Sequence, residues 1–106
     1  MDNAGNMKAL FIITNACFAE NVLETAREAG AKGATILNVR GEGARHKSII
    51  GITVDIEKDI IMCVVDENTA EKTMVAIKEK AGAMLPAHCI CFTMPVDKIV
   101  GVMGTN

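Results

Sequence analysis

Short apolar runs alternate with helical apolar stripes along this chain. Residues 8–14 (KALFIIT) form an apolar run of the length of a buried strand. From Phe18 onward, apolar residues recur at helical spacing, and Gly30 follows where a helix ends in a left-handed turn. Residues 34–40 (ATILNVR) are rich in β-branched side chains. The first part of the chain therefore predicts a strand, a helix that Asn15 caps, and a second strand.

The same order returns further along the chain. Residues 60–65 (IIMCVV) form another apolar strand, and Asp66 stands where it can cap the helix that follows. The apolar stripe of that helix leads to Gly82, and residues 88–94 (HCICFTM) form a closing strand before Pro95. The order βαββαβ predicts a ferredoxin-like α+β sandwich, in which a four-stranded antiparallel sheet carries both helices on one face.

The strands carry too few polar residues for a sheet with one solvated face. Such a sheet alternates apolar and polar residues, whereas the segments FII, IIMCVV and CICF do not. Because the helices cover only one face, we expect the other face to pack against further copies of the chain. A composition in which 50% of the residues are apolar supports the same conclusion. The sequence therefore predicts a homo-oligomer.

Composition and charge narrow the range of functions. A chain of 106 residues has room for one domain. The net charge is −2, the 11 basic residues are scattered and tryptophan and tyrosine are absent, so nucleic-acid binding has no support. No apolar run reaches the about 20 residues of a spanning helix. We expect residues 1–6 to be a disordered lead-in without signal-peptide character, and residues 7–106 to be one cytoplasmic domain with reduced cysteines.

Several segments resemble the PII-type nitrogen-regulatory signal proteins. They are GATILNVRGEG (residues 33–43), the long connection to Ile60, and CFTMPVDKIVGV (residues 91–102), together with the strand order. The resemblance implies a homotrimer that binds ATP or ADP between subunits, often with 2-oxoglutarate. It also implies a long T-loop that docks on partner enzymes or transporters. The implied function is regulatory rather than enzymatic, and no nucleophile–base pair stands out in the sequence.

The resemblance also assigns ligand contacts to particular residues. Gly33 and Thr35 occupy the positions that contact the adenine in the family. Gly41 and Gly43 match the glycines at the base of the T-loop, and Lys58 matches the lysine at which the chain returns from that loop. These positions imply an effector of the adenine-nucleotide class.

The phosphate side of the implied site departs from the family. Residues 85–88 (LPAH) replace its Gly-Asp-Gly-Lys phosphate loop, and Gly101 and Met103 stand where it has arginines. A triphosphate needs backbone N–H groups and cations, but Pro86 has no N–H and histidine is mostly neutral at pH 7. His88 either replaces the loop lysine as a ligand contact on this side or caps the closing strand. We therefore expect an adenine nucleotide with few phosphates, such as AMP or a cyclic nucleotide.

The segment of about residues 44–58 corresponds to a shortened T-loop. It contains no tyrosine that could be uridylylated, and we expect it to be mobile in the free protein. A basic cluster within it suits an anion, and an apolar group suits the surface of a partner. The candidate partner-binding residues are Arg45, His46, Lys47, Ile49 and Ile50.

Other function classes fit the same fold. A trimeric metal-binding protein of the CutA type would bind metal through Cys89 or His88, and a small enzyme would need a nucleophile–base pair. Cys89 and Cys91 point to one face of their strand, so with Cys63 they can ligate a metal or sense oxidation. Buried cysteine more often acts as a small apolar core residue, and we predict no metal site.

Overall fold

The computed structural model describes residues 2–3, 5–40, 47–49, 52–54, 57–82 and 84–101. A short 3₁₀ helix, Ala16–Phe18, joins the second strand to the first α-helix. The other elements within these residues are, in chain order, β1 (Asp2–Asn3), β2 (Met7–Asn15), α1 (Ala19–Glu28), β3 (Thr35–Arg40), β4 (Lys47–Ile49), β5 (Ile52–Val54), β6 (Glu57–Asp66), α2 (Glu67–Ala81), β7 (Ile90–Pro95) and β8 (Lys98–Ile99).

A four-stranded antiparallel sheet with the strand order β3-β6-β2-β7 forms the centre of the protein. Its central pair is β2 with β6, which runs from Met7 opposite Asp66 to Asn15 opposite Lys58. In chain order, α1 follows β2 and α2 follows β6, so each helix connects strands of the same sheet. This arrangement is the ferredoxin-like βαββαβ sandwich that the sequence predicts.

Every second residue of the central strands packs against the helices. Leu10 and Ile12 of β2 and Ile61 of β6 are 0% exposed. They form one core with Val22 of α1 and Ile77 of α2, so both helices lie on the same face of the sheet. The predicted apolar stripes are therefore confirmed. Within the described residues, no helix combines the length and the apolar character that crossing a bilayer requires.

The opposite face of the sheet is also apolar, and the described residues leave it uncovered. Phe11 of β2 stacks on Phe92 of β7, with their ring centroids 5.1 Å apart. Phe92 is 41% exposed, Ile90 59% and Met94 52%, and Leu37 of β3 is 44% exposed. The expectation that both faces carry apolar side chains is confirmed. Burial of this open face by further copies of the chain stays a prediction.

Strand β6 begins earlier than the apolar run indicates. The sequence predicts a strand over residues 60–65, whereas β6 spans Glu57–Asp66 because β3 pairs with its first residues, with Arg40 opposite Glu57. The loop predicted up to residue 58 therefore overlaps β6 at Glu57 and Lys58. Lys58 is a strand residue, and its side chain is positioned by the sheet.

Part of the predicted loop forms a short antiparallel hairpin. Strand β4 pairs with β5, with Lys47 opposite Val54 and Ile49 opposite Ile52. The sequence indicates no regular structure here, so this hairpin is a difference from the prediction. The β-branched residues of both strands account for it, because such residues favour extended, paired backbone.

The helices end in different ways. Gly30, just beyond α1, has φ +116°, and its N–H donates to the carbonyl oxygen of Arg27 at 3.0 Å. This is the predicted left-handed end, which glycine adopts without strain. Gly82 directly follows the last residue of α2 and has φ −68°. Glycine is needed there for space, because a Cβ would lie 2.7 Å from the carbonyl oxygen of Lys78.

The ends of the described chain pair with each other. Asp2 and Asn3 form β1, which runs antiparallel to Lys98 and Ile99 of β8. This pairing differs from the expected disordered lead-in over residues 1–6, because the short segment satisfies its backbone hydrogen-bonding groups against β8. The start of the domain at residue 7 stays a prediction.

Asp66 caps α2, as the sequence predicts. Its Oδ1 accepts a hydrogen bond from the backbone N–H of Thr69 at 2.7 Å. Hydrogen bonds from Thr69, first from its backbone N–H, hold the pKa of Asp66 below its ordinary value. The cap therefore stabilises the fold fully above the unfolded carboxyl pKa, and this stability is lost as the pH falls through the folded pKa.

We predict that Asp66→Asn keeps the cap but removes its dependence on pH. The amide oxygen accepts the same hydrogen bond without ionising, so only the wild type loses stability on protonation. Urea unfolding between about pH 7 and about pH 2.5 measures the free energy of unfolding of both proteins. The advantage of the wild type should shrink below about pH 4. A difference that stays constant over the whole range would contradict this account of the cap.

Candidate functional site

Strand β2 ends in polar residues, and antiparallel pairing sets them opposite the polar start of β6. Thr14 pairs with Asp59, and Asn15 pairs with Lys58. Residues paired across a sheet share a face, so Thr14 and Asp59 face the helices, while Asn15 and Lys58 face the other side. We call these four residues, with the turn at Pro86 and Ala87, the sheet-end cluster.

The side chain of Asn15 does not cap the helix, contrary to the prediction. Asn15 stands at the N-cap of the 3₁₀ helix without a side-chain capping bond. Its Oδ1 instead accepts a hydrogen bond from Nζ of Lys58 at 2.6 Å, and its Nδ2 donates to the carbonyl oxygen of Pro86 at 3.2 Å. The register brings the ammonium group directly across from Asn15, and a charged donor makes a stronger hydrogen bond than a backbone N–H.

The end of β2 also forms hydrogen bonds to the turn at Pro86 and Ala87. The backbone N–H of Asn15 donates to the carbonyl oxygen of Ala87 at 3.0 Å. The hydroxyl of Thr14 donates to the same oxygen at 3.3 Å. Thr14 is 0% exposed, so its hydroxyl needs a partner inside the protein. The turn at Pro86 and Ala87 is therefore held against the strand that carries Asn15.

His88 follows this turn in an unusual backbone conformation. Its φ is +51°, which is uncommon for a residue other than glycine, and the residue is exposed. The closing strand predicted over residues 88–94 therefore begins only at Ile90. Since Ile13 pairs with Ile90, His88 lies at the same end of the sheet as Asn15.

Asp59, the buried carboxylate of the sheet-end cluster, connects the cluster to β3. Asp59 is 8% exposed, and its Oδ1 accepts a hydrogen bond from Nδ2 of Asn38 at 2.7 Å. Asn38 is the register partner of Asp59, so this bond follows the antiparallel pairing of β3 with β6. A charged group removed from water needs such partners. The cluster therefore links β3, β6 and β2.

The predicted adenine contacts lie away from Lys58 within one chain. Thr35 of β3 pairs with Met62 of β6. Met62 lies on the same face of the sheet as Lys58 and four residues further along β6. That separation corresponds to about 13 Å. Gly33 precedes β3 with φ +23°, and both it and Thr35 are exposed. Lys58 on β6 and His88 just before β7 therefore lie at the same end of the sheet, on opposite sides of β2. Gly33 and Thr35 lie away from them.

Other predicted positions have no described side chain. Lys47 and Ile49 belong to β4, and their role in partner binding stays a prediction. Five further residues that the sequence assigns to ligand or partner binding lie outside the part of the chain that the structure describes: Gly41, Gly43, Arg45, His46 and Ile50.

The cysteines are free thiols, and those of the sheet are mostly buried. Cys63 and Cys89 are buried, and Cys91 is half-buried. Burial raises the pKa of each of these thiols, and a hydrogen bond with Thr14 and the charge of Lys58 partly offset the rise in the pKa of Cys89. In the described ranges, no group of three histidine, cysteine or acidic side chains is placed to hold a metal ion.

A crevice borders the same turn on the helical side of the protein. Its volume is about 240 Å³, and it is lined by Phe18, Val22 and Pro86 among other residues. Lys58 and His88 do not line it. Lys80 does line it, with its Nζ 3.6 Å from Oε1 of Glu28. The cation at the crevice therefore faces a carboxylate, whereas the Lys58 ammonium in the sheet-end cluster is bonded to an amide oxygen.

The sequence pattern does not by itself assign Thr14, Asn15, Asn38 or Asp59 to a site. The available signal is the position of polar residues where two apolar strands end, TN in one and EKD in the other. An antiparallel pairing of these strands brings the two polar ends together. That register follows from the structure, which shows the pairing directly.

The fold and the site define a small ferredoxin-like domain with a polar cluster, which contains one lysine and one aspartate, at one end of its sheet. The model of the family described as nitrogen regulatory protein P-II matches residues 7–105. The chain therefore belongs to the nitrogen regulatory protein P-II family, whose members are signalling regulators. No curated protein sequence matches this chain.

Similar solved structures are PII proteins or PII-like proteins. A PII-like signalling protein from Thermus thermophilus is 22% identical, with 85% of this chain and 86% of that chain covered and a TM-score of 0.66. The PII-like protein CPII from Thiomonas intermedia is 18% identical, covers 91% and 96%, and has a TM-score of 0.65. The GlnK–ATP complex of B. subtilis is 19% identical, covers 88% and 86%, and also has a TM-score of 0.65. Such identities show a shared fold.

We predict that the Thr14 hydroxyl stabilises the sheet-end cluster. Thr14→Val keeps the shape but removes the bond to the Ala87 carbonyl, so the free energy of unfolding should fall by about 1 kcal/mol. Thr25→Val is the matched control, because the Thr25 hydroxyl donates to the Asn21 carbonyl on an exposed helix surface at 3.1 Å. The control should change stability by less than about 0.5 kcal/mol. Equal losses for both variants in urea unfolding would contradict the prediction.

Proposed function

We propose that this protein is a PII-like signalling regulator that works in the cytoplasm as a homotrimer. In this proposal it binds a small effector between subunits and controls a partner enzyme or membrane transporter through the segment of residues 44–58. The observation that carries the proposal is the Lys58 ammonium, held by Asn15 at 2.6 Å beside the turn at Pro86 and Ala87. The family match favours this function over a CutA-like metal-binding protein or a small enzyme.

The open face of the sheet supports the trimer. It combines the stacked pair Phe11 and Phe92 with the exposed side chains of Ile90, Met94 and Leu37. A contiguous apolar surface of this kind marks a contact with another protein. Each Å² of apolar surface removed from water contributes about 25 cal/mol, so covering this face stabilises the assembly. Its occupant in our proposal is the same face of further copies.

We predict that the wild-type protein runs at about three times the 11.3 kDa chain mass in light scattering coupled to size exclusion. Phe92→Glu places a charge in the open face and should break the trimer, since a buried unpaired charge is costly. Val75→Glu is the matched control, because Val75 is 55% exposed on α2. The control should remain trimeric. A monomeric wild type, or a Phe92→Glu variant that stays trimeric, would contradict the assignment of this face.

The charge available at the sheet-end cluster favours a ligand with few phosphates. Lys58 supplies one ammonium group, whereas Leu85 and Ala87 replace the glycines of the family's phosphate loop and Pro86 replaces its aspartate. CPII was solved with ADP, AMP and bicarbonate, and B. subtilis GlnK with ATP. We infer that this chain takes the less charged kind of ligand, with Thr35 on the adenine side, because each absent charge-assisted hydrogen bond costs about 1.5–3 kcal/mol.

We predict that AMP binds more tightly than ATP with magnesium. Lys58→Met should weaken AMP binding by about tenfold to a hundredfold, because it removes a charge-assisted hydrogen bond to the phosphate. Lys78→Met serves as the control, since Lys78 lies exposed on α2. Titration calorimetry measures all three proteins. Tighter binding of magnesium ATP than of AMP, or equal loss in both variants, would contradict the proposal.

A further inference from the structure

We propose that Asn15 is a positioning residue that holds the Lys58 ammonium, without neutralising it, beside the turn at Pro86 and Ala87. The proposal rests on the proposed function, in which Lys58 contacts the anionic part of the effector. Asn15 acts through Lys58, and it thereby sets the geometry in which the cation meets the ligand.

The geometry of Asn15 supports this role because its side chain bridges separate parts of the chain. Its Oδ1 accepts from Nζ of Lys58 at 2.6 Å, and its Nδ2 donates to the carbonyl oxygen of Pro86 at 3.2 Å. Its backbone N–H donates to the carbonyl oxygen of Ala87 at 3.0 Å. The end of β2, the start of β6 and the turn before β7 are therefore joined at one residue.

The amide group is suited to this bridge by its chemistry. An amide accepts from the ammonium and at the same time donates to a carbonyl, which neither a carboxylate nor an aliphatic side chain can do. A carboxylate at this position would also cancel the charge of Lys58. An ammonium has three N–H donors, so one bond to Asn15 leaves donors for an anion. Asn15 therefore fixes Lys58 while preserving its positive charge.

Asn15 also gives up its usual local role. Asparagine at an N-cap ordinarily bonds a backbone N–H of the following helix, but the side chain of Asn15 makes no such bond. A departure from local preference that serves long-range interactions is typical of functional positions. The side chain bonds instead to Lys58 and Pro86, which lie 43 and 71 residues away in the sequence.

Lys58 is the second residue of β6 and the last residue of the segment proposed to bind partners. A ligand that draws the ammonium away from Asn15 would therefore act at the point where this segment rejoins the sheet. Asn15 thus couples occupancy of the site to the foot of the partner-binding segment.

The binding experiment uses AMP as the probe and full-length protein throughout. Asn15→Leu and Asn15→Asp should each weaken AMP binding by about tenfold, the first by releasing Lys58 and the second by neutralising it. The double variant of Asn15→Leu with Lys58→Met should bind no more weakly than Lys58→Met alone, because Asn15 acts through Lys58. Asn21→Leu on the exposed side of α1 is the control and should bind as the wild type does. Independent, additive losses would overturn the proposal.

NMR relaxation of the Lys58 Cε methylene gives a readout that does not depend on any nucleotide. The methylene should be restricted in the wild type, in Asn15→Asp and in Asn21→Leu, and freely rotating in Asn15→Leu. Restricted motion without AMP binding would refute the proposed ligand and leave the positioning role supported. A freely rotating Lys58 side chain in the wild type would overturn the positioning role whatever AMP does.

Discussion

All nine residues of β2 pair with β6, and the register of this central pair determines where the other features lie. Leu10 opposite Cys63 faces the helices, and Phe11 opposite Met62 faces away from them. The same register carries Asn15 to Lys58 at the end of the pair. Because side chains alternate with a period of two, a slip by one residue would turn the core outward and separate the polar ends.

This register explains how one small sheet serves two purposes. One face packs α1 and α2 into a core, while the other presents apolar side chains that are open in the single chain. Small domains bury a modest part of their surface on their own, so a second apolar face favours assembly over isolation. The sheet-end cluster carries two charged residues, Lys58 and Asp59, where β2 ends and β6 begins. In our proposal, assembly and ligand binding thus depend on different parts of the same strands.

The periodicity of the sequence was sufficient to predict the sheet, the helices and the Asp66 cap, because these features depend on neighbouring residues. The periodicity did not place Lys58 in a strand, because residues 57–59 at the start of β6 are charged and interrupt the apolar pattern. These residues are in the strand because β3 pairs with them. Asn15 looks the same in sequence whether it caps a helix or bonds a distant lysine. The bond partner that decides between these roles is 43 residues away. In our proposal the remaining ligand positions are completed by a neighbouring subunit, which one chain does not contain.

A crystal structure of the protein grown with AMP would test the central claim most directly. The account predicts a trimer with the nucleotide between subunits and a phosphate oxygen within hydrogen-bonding distance of Nζ of Lys58. The adenine should lie beside Thr35, and the Asn15 amide should remain bonded to Pro86 or to Lys58. A nucleotide bound elsewhere, or a saturated crystal in which the Lys58 ammonium contacts no ligand atom, would contradict the account.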